Sequence, residues 1–204
     1  MRRGGTLTGT LTVLCAALTA AGCSSGGLTI GPFELEIDVG SGVISPDDFP
    51  GLPRGVIGTT TLGTDLCDFP TEAQVVQTLK DVGAIDLSGV FSISRMELVE
   101  TVLTSNTDLR SLKALQLRFV PKPVAGVPLG TVVLGSSVSP LGHGTTVVLE
   151  PHYDVDLLDL IRTNDANPAP ECPVLEVQVI SSVPEEAIVW QARLYVDAYI
   201  TIGG

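Results

Sequence analysis

In the stretch PHYDVD, His152, Asp154 and Asp156 recur at every second residue. On an extended backbone that period sets one imidazole and two carboxylates on a single face, a donor set for a metal ion. The same residues suit a strand end followed by a helix cap, and that structural use is the expected one. Calcium would call on acidic loops instead, and two are present: PDDF, with Asp47 and Asp48, and NDAN, with Asn164 and Asp165. Neither has the D-x-D-x-D-G regularity of a dedicated calcium loop. A serine nucleophile needs a G-x-S-x-G elbow between strand and helix, and the nearest string, GSSVS from Gly135, lacks the second glycine. The other histidine, His143, sits in the Gly-flanked turn LGHGT. There is no P-loop, dinucleotide fingerprint, HExxH or CxxC, so nothing assembles a nucleophile, a base and an orienting partner. The expectation is a protein that is not an enzyme and holds no cofactor.

Binding chemistry is better represented. Carbohydrate modules on β-sandwiches use exposed aromatic platforms, and this chain has one Trp, three Tyr and five Phe. In ARLYVDAYITI, Ala192, Leu194, Val196, Ala198 and Ile200 share one face, and Trp190 shares their parity, which assigns it to the core. Tyr195 and Tyr199 take the opposite face with Arg193, Asp197 and Thr201. Four residues of strand separate the two rings by about 13 Å at ~3.3 Å per residue. That spacing suits two contacts along an extended partner, so Tyr195 and Tyr199 form the candidate binding face. A second minor core under a loop or helix is the competing use.

The four cysteines divide by position. Arg2 and Arg3 precede an apolar run whose densest part, residues 11–21, covers about 16 Å as a helix, against a hydrocarbon core of ~30 Å. This is the h-region of a secretion signal rather than a lasting transmembrane span. Ala20, Ala21, Gly22 and Cys23 resemble a bacterial lipobox, with Ala20 at the position where the pattern prefers Leu. The resemblance implies a bacterial lipoprotein, cut by signal peptidase II before Cys23 and acylated on the Cys23 thiol and amine. Several chains anchor stably, because each buried CH₂ contributes ~0.8 kcal/mol. Ser24, in place of Asp, points to the outer membrane under the common sorting rule. The Arg2–Arg3 pair lacks the followers of a twin-arginine signal, which leaves the general secretory route.

Cleavage removes Cys15 and leaves Cys67 and Cys172 in a compartment that permits disulfides. Each sits in a loop-like setting, TDLCDFPTE and NPAPECPV. Two unpaired thiols are the alternative to the expected Cys67–Cys172 bond, which would close a loop of about 100 residues worth up to ~4–5 kcal/mol. Loss of Arg2 and Arg3 moves the formal charge from −12 to −14. A body this acidic is repelled by phosphate backbones, so nucleic acid is excluded as a partner.

The elements that must position these residues read mostly as strands. Residues 24–32, SSGGLTIGP, form a flexible tether. FELEIDV alternates strictly, Phe33, Leu35, Ile37 and Val39 against Glu34, Glu36 and Asp38. SPDDFPGLPRG is loop. In PTEAQVVQTLKDVG, Thr71 and Gln74 make a capping box, Val75, Val76, Leu79 and Val82 a stripe, and Gly83 a stop, which predicts a helix over 72–82. GVFSISRMELVETVLTS changes phase near Arg95 and Met96, the mark of a bulge or of two consecutive strands; residues 96–103 also fit a helix. ALQLRFV, GTVVLGS, TTVVLEP, VLEVQVISSV and AIVWQARLYVDAYITI are further strands. DVDLLDLIRT is a short helix capped by Asp154 or Asp156. About seven strands without a βαβ rhythm predict an all-β antiparallel sandwich of immunoglobulin-like size with a short helix packed on it. The expected organisation is signal peptide 1–22, tether 23–32 and one sandwich domain 33–204.

The resulting expectation is a lipid-anchored cell-envelope protein, held by its N-terminal lipid at the outer membrane, that acts as a non-enzymatic interaction or structural module with an envelope protein partner. A carbohydrate- or calcium-binding module is the alternative, with a hydrolase third. Cys23→Ala should abolish incorporation of labelled palmitate and release the protein from membranes. A variant that still takes up palmitate overturns the lipobox reading.

Overall fold

Period-two alternation in the chain becomes two stacked antiparallel sheets. The structure, a computed structural model, describes residues 27–81, 91–123, 129–137, 144–151, 155–167 and 171–202. Cys23, Val82, Gly83, His143, His152 and Asp154 lie outside the described residues. In chain order the elements are β1 (Leu28–Ile44), β2 (Ile57–Asp65), α1 (Glu72–Asp81), β3 (Phe91–Ser105), β4 (Leu112–Val120), β5 (Val132–Ser137), β6 (Thr146–Leu149), α2 (Leu157–Ala166), β7 (Val174–Ser182) and β8 (Ile188–Ile202). One sheet has the order β1-β8-β3-β6 and the other β2-β7-β4-β5. The all-β sandwich is therefore the observed fold. Leu35, Ile37, Leu103, Leu194 and Val196 of the first sheet share one core with Leu115, Leu117, Phe119, Val177 and Val179 of the second. Among the described residues no helix is long and apolar enough to cross a membrane.

Several elements differ from the sequence reading, each for a physical reason. Strand β1 begins at Leu28, so residues 28–32 belong to a ladder rather than to the tether, with Leu28 opposite Ile202 and Ile30 opposite Ile200. The Gly31–Pro32 peptide is cis and falls where the register shifts between Ile30 and Phe33. A proline without an N–H is tolerated at such a bulge on an edge strand, so here Gly-Pro marks an irregularity inside the strand instead of its start. Strand β2, IGTTTLGTD, has no counterpart in the sequence reading. It is an edge strand without a buried residue, so burial imposes no apolar alternation on it. Residues 96–103 are strand, not helix, and the phase change near Arg95 is a register shift between Ile93 and Arg95.

Both helices start as their caps require. Thr71 N donates to Gln74 Oε1 at 2.8 Å and Gln74 N to Thr71 Oγ1 at 3.2 Å, closing the capping box at α1. Leu158 N donates to Asp156 Oδ1 at 3.0 Å, so Asp156 caps α2. The two helices are clamped by Arg162, whose Nη2 and Nε donate to the Glu72 carboxylate at 2.7 and 2.9 Å. That hydrogen bond holds the Glu72 carboxyl below its usual range, against the opposing pull of burial. The clamp's stabilisation, under about 1 kcal/mol for so exposed a pair, is present above the ordinary carboxylate range and is lost as pH falls through the depressed value.

Cys67 and Cys172 form the expected disulfide, with Cα atoms 4.8 Å apart. The bond sits just past the last rung of the β2–β7 ladder, where Leu66 N donates to Pro173 O at 2.8 Å. Trp190 is 1% exposed and faces Gly42 directly across the β1–β8 ladder. A Cβ at Gly42 would lie 2.6 Å from Trp190 Cζ2, so only glycine lets the indole lie flat on β1. Gly42→Ala should therefore cost about 1–3 kcal/mol, as overpacking does in a close-packed interior. Thermal or urea unfolding measures it, and an unchanged midpoint would refute this packing.

Candidate functional site

The outward face of the β1-β8-β3 layer gathers the polar residues that alternate with the core. Strand β8 supplies the centre. Its inward residues Leu194, Val196, Ala198 and Ile200 are buried, while Tyr195, Asp197 and Tyr199 point outward and are half-buried. Both tyrosines thus lie on the face assigned to them from the sequence, and neither ring is sealed in a second core.

Register builds rows across this layer. Glu36 of β1 and Glu100 of β3 flank Tyr195; Glu34 and Glu97 flank Asp197; Arg95 stands opposite Tyr199; Asp38 stands opposite Arg193. The described residues of this face therefore place six carboxylates, Glu34, Glu36, Asp38, Glu97, Glu100 and Asp197, against two guanidiniums, Arg95 and Arg193. Arg95 pairs with Glu97, and Arg193 Nη1 pairs with Glu36 at 3.0 Å. Gln191 Nε2 donates to Asp38 Oδ2. Tyr199 is held closely from one side: a Cβ at Gly31, whose φ is +149°, would meet Tyr199 Cδ1 at 2.9 Å and Ala198 O at 2.8 Å. The β1 bulge thus forms a wall against that ring. Burial, and then the Glu97 and Asp197 carboxylates, push the Tyr199 hydroxyl above its ordinary pKa.

The carboxylates flanking the tyrosines escaped the sequence reading. Glu34, Glu36 and Asp38 alternate in FELEIDV, but Glu97 and Glu100 stand three residues apart in MELVE. Only the pairing register, with its shift between Leu98 and Glu100, shows that β1 and β3 deliver carboxylates to either side of β8. Other candidates are used structurally. Asp156 Oδ1 accepts from both Leu158 N and Met96 N, which is cap and strap, and its partners in PHYDVD lie outside the described residues. Asp48 Oδ2 accepts from Ser45 N, and Asp165 Oδ2 from Glu72 N. Asn164 is buried in α2. Gly135 and Ser136 lie within β5, not at a strand-to-helix elbow. Among the described residues no group of three or more His, Cys, Asp or Glu could hold a metal ion.

No known family model matches the chain, and no curated protein matches it either. The chemistry of the face must therefore be read from its own residues. An acidic surface with two phenol rings on a central strand can accept hydrogen bonds from cations and offer them ring faces.

Asp197 shows what this crowding costs. Burial first, then Glu34 and Glu97, raise its pKa above the ordinary value. Between the unfolded and the raised folded value the native chain holds the extra proton, so stability falls as pH rises through that window. Ionised Asp197 is thus a net cost at neutral pH. Asp197→Asn should gain on the order of 0.5 kcal/mol at pH 7, the size of a like-charge cross-strand term. The gain should vanish below the ordinary carboxylate range, where Asp197 is protonated in both states. Urea unfolding at the two pH values checks the sign, and a loss of stability at pH 7 would refute the repulsion.

Proposed function

We propose that this chain is a lipid-anchored cell-envelope protein whose sandwich is a non-enzymatic interaction module, binding an envelope protein partner through the outer face of β1-β8-β3. The observation that carries the binding face is the pair of carboxylate rows around Tyr195, Asp197 and Tyr199 on a strand paired on both sides. The partner chemistry that fits is an extended basic segment: Lys or Arg over the tyrosine faces, with charge-assisted hydrogen bonds to the flanking carboxylates. Anchoring at the outer membrane rests on the lipobox resemblance at residues 20–23. The sugar-reading alternative has less support, because the largest aromatic ring, Trp190, is buried in the core.

The test is capture from detergent-solubilised envelopes by the wild-type chain and by the Tyr195→Ala, Tyr199→Ala double variant, with captured proteins identified by mass spectrometry. The variant should melt close to wild type and capture its partner about tenfold less or worse, as for loss of interface tyrosines. The wild-type complex should dissolve as salt is raised. Equal capture by the variant, or a complex indifferent to salt, refutes this binding face.

A further inference from the structure

Strand β2 is the outer strand of its sheet and is hydrogen-bonded to β7 on one side. The phase of that ladder is fixed at both ends: Val183 N donates to Val56 O at 3.1 Å, and Leu66 N to Pro173 O at 2.8 Å. Opposed residues of an antiparallel pair alternate between exchanging hydrogen bonds and turning them away. The register between these ends has no shift. The even-numbered residues of β2 therefore address β7, while Ile57, Thr59, Thr61, Gly63 and Asp65 turn N–H and C=O outward. Among the described residues no backbone group pairs with them there.

The other sheet edges carry the protections that natural proteins use against strand addition. Strand β1 is broken at Gly31–Pro32, shifts register again between Asp38 and Gly40, and bears Glu34, Glu36 and Asp38. Strand β5 spans six residues with a register shift opposite Leu117 and Arg118, and β6 spans four. Strand β2 has nine residues in unbroken register, no proline, and a single charge at its end, Asp65. Its two ends also differ in sign. Arg54 precedes it, Asp65 and Asp68 close it, and all three are exposed.

We propose that two copies of this chain associate by antiparallel pairing of β2 with β2, joining two four-stranded sheets across a two-fold axis at Thr61. That register places Thr61 opposite Thr61 of the second copy, Thr59 opposite Gly63, and Ile57 opposite Asp65, so every outward group meets an outward group. It also sets the Arg54 end of one strand beside the Asp65 and Asp68 end of the other, whereas parallel pairing would bring like ends together. This self-complementarity selects a second copy over a foreign strand as the occupant. The site is separate from the tyrosine face, and either can fail without the other.

The test uses the purified full-length chain in mild detergent, with mass by light scattering and amide exchange by NMR across a concentration series. Mass should approach a dimer as concentration rises. Over the same range the amides of Thr59, Thr61 and Gly63 should gain protection, while those of Thr60 and Leu62 stay protected throughout. Thr61→Lys and Thr61→Glu should each weaken association about fivefold or more, and an equal mixture of the two should recover it, because only then do opposite charges meet on the axis. A monomer at every concentration overturns the proposal. So does a dimer whose outward amides exchange freely, or a Lys/Glu mixture no tighter than either variant alone. Protection of those amides only in a complex with a different protein would assign the edge to a foreign strand and likewise overturn self-pairing.

Discussion

Strand β8 must satisfy two ladders and two environments at once. Its backbone pairs with β1 from Ile202 to Ile188 and with β3 from Ile202 to Trp190. Every inward side chain from Ile188 to Ile200 is buried. Because side chains alternate with period two, a slip of one residue would drive Tyr195 into the core and expose Val196. The neighbours absorb the mismatch instead. Every register shift against β8 inserts its extra residue into β1 or β3, near Gly31, Val39, Ser94 and Val99, and β8 itself runs without interruption. That regularity keeps Tyr195, Asp197 and Tyr199 on one face.

The acidic residues divide by what they do for the fold. Asp48, Asp156 and Asp165 each accept a backbone N–H, and Glu72 accepts Arg162. These carboxylates hold turns and helix ends in place. Asp197 stands between two further carboxylates at a cost to the native state. A charge kept where it opposes folding is the kind of local conflict that marks a surface shaped for something other than stability.

Strong periodicity and local chemistry made much of this legible in the sequence. The capping box at Thr71 and Gln74, the alternation of FELEIDV and of β8, the core placement of Trp190 and the phase change at Arg95 each depend on neighbours a few residues away. What escaped depends on distance. IGTTTLGTD does not read as a strand, because at the sheet edge even its inward face is only half-buried and carries one large apolar residue, Leu62, among Gly58, Thr60 and Thr64. Gly31–Pro32 reads as a boundary because the partner strand that carries β1 past it lies at the other end of the chain. At the candidate site the tyrosines were visible from one strand, but the carboxylate rows around them exist only once β1, β8 and β3 are in register.

The disulfide links positions 105 residues apart, and the span between them contains α1, β3, β4, β5, β6 and α2. A protease that cuts one peptide bond anywhere in that span yields two fragments that remain covalently joined. One keeps β1 and β2, the other β7 and β8, so the β1–β8 and β2–β7 ladders bridge the cut. Such a nicked molecule would run as a single species on a non-reducing gel and separate into two bands once the Cys67–Cys172 bond is reduced.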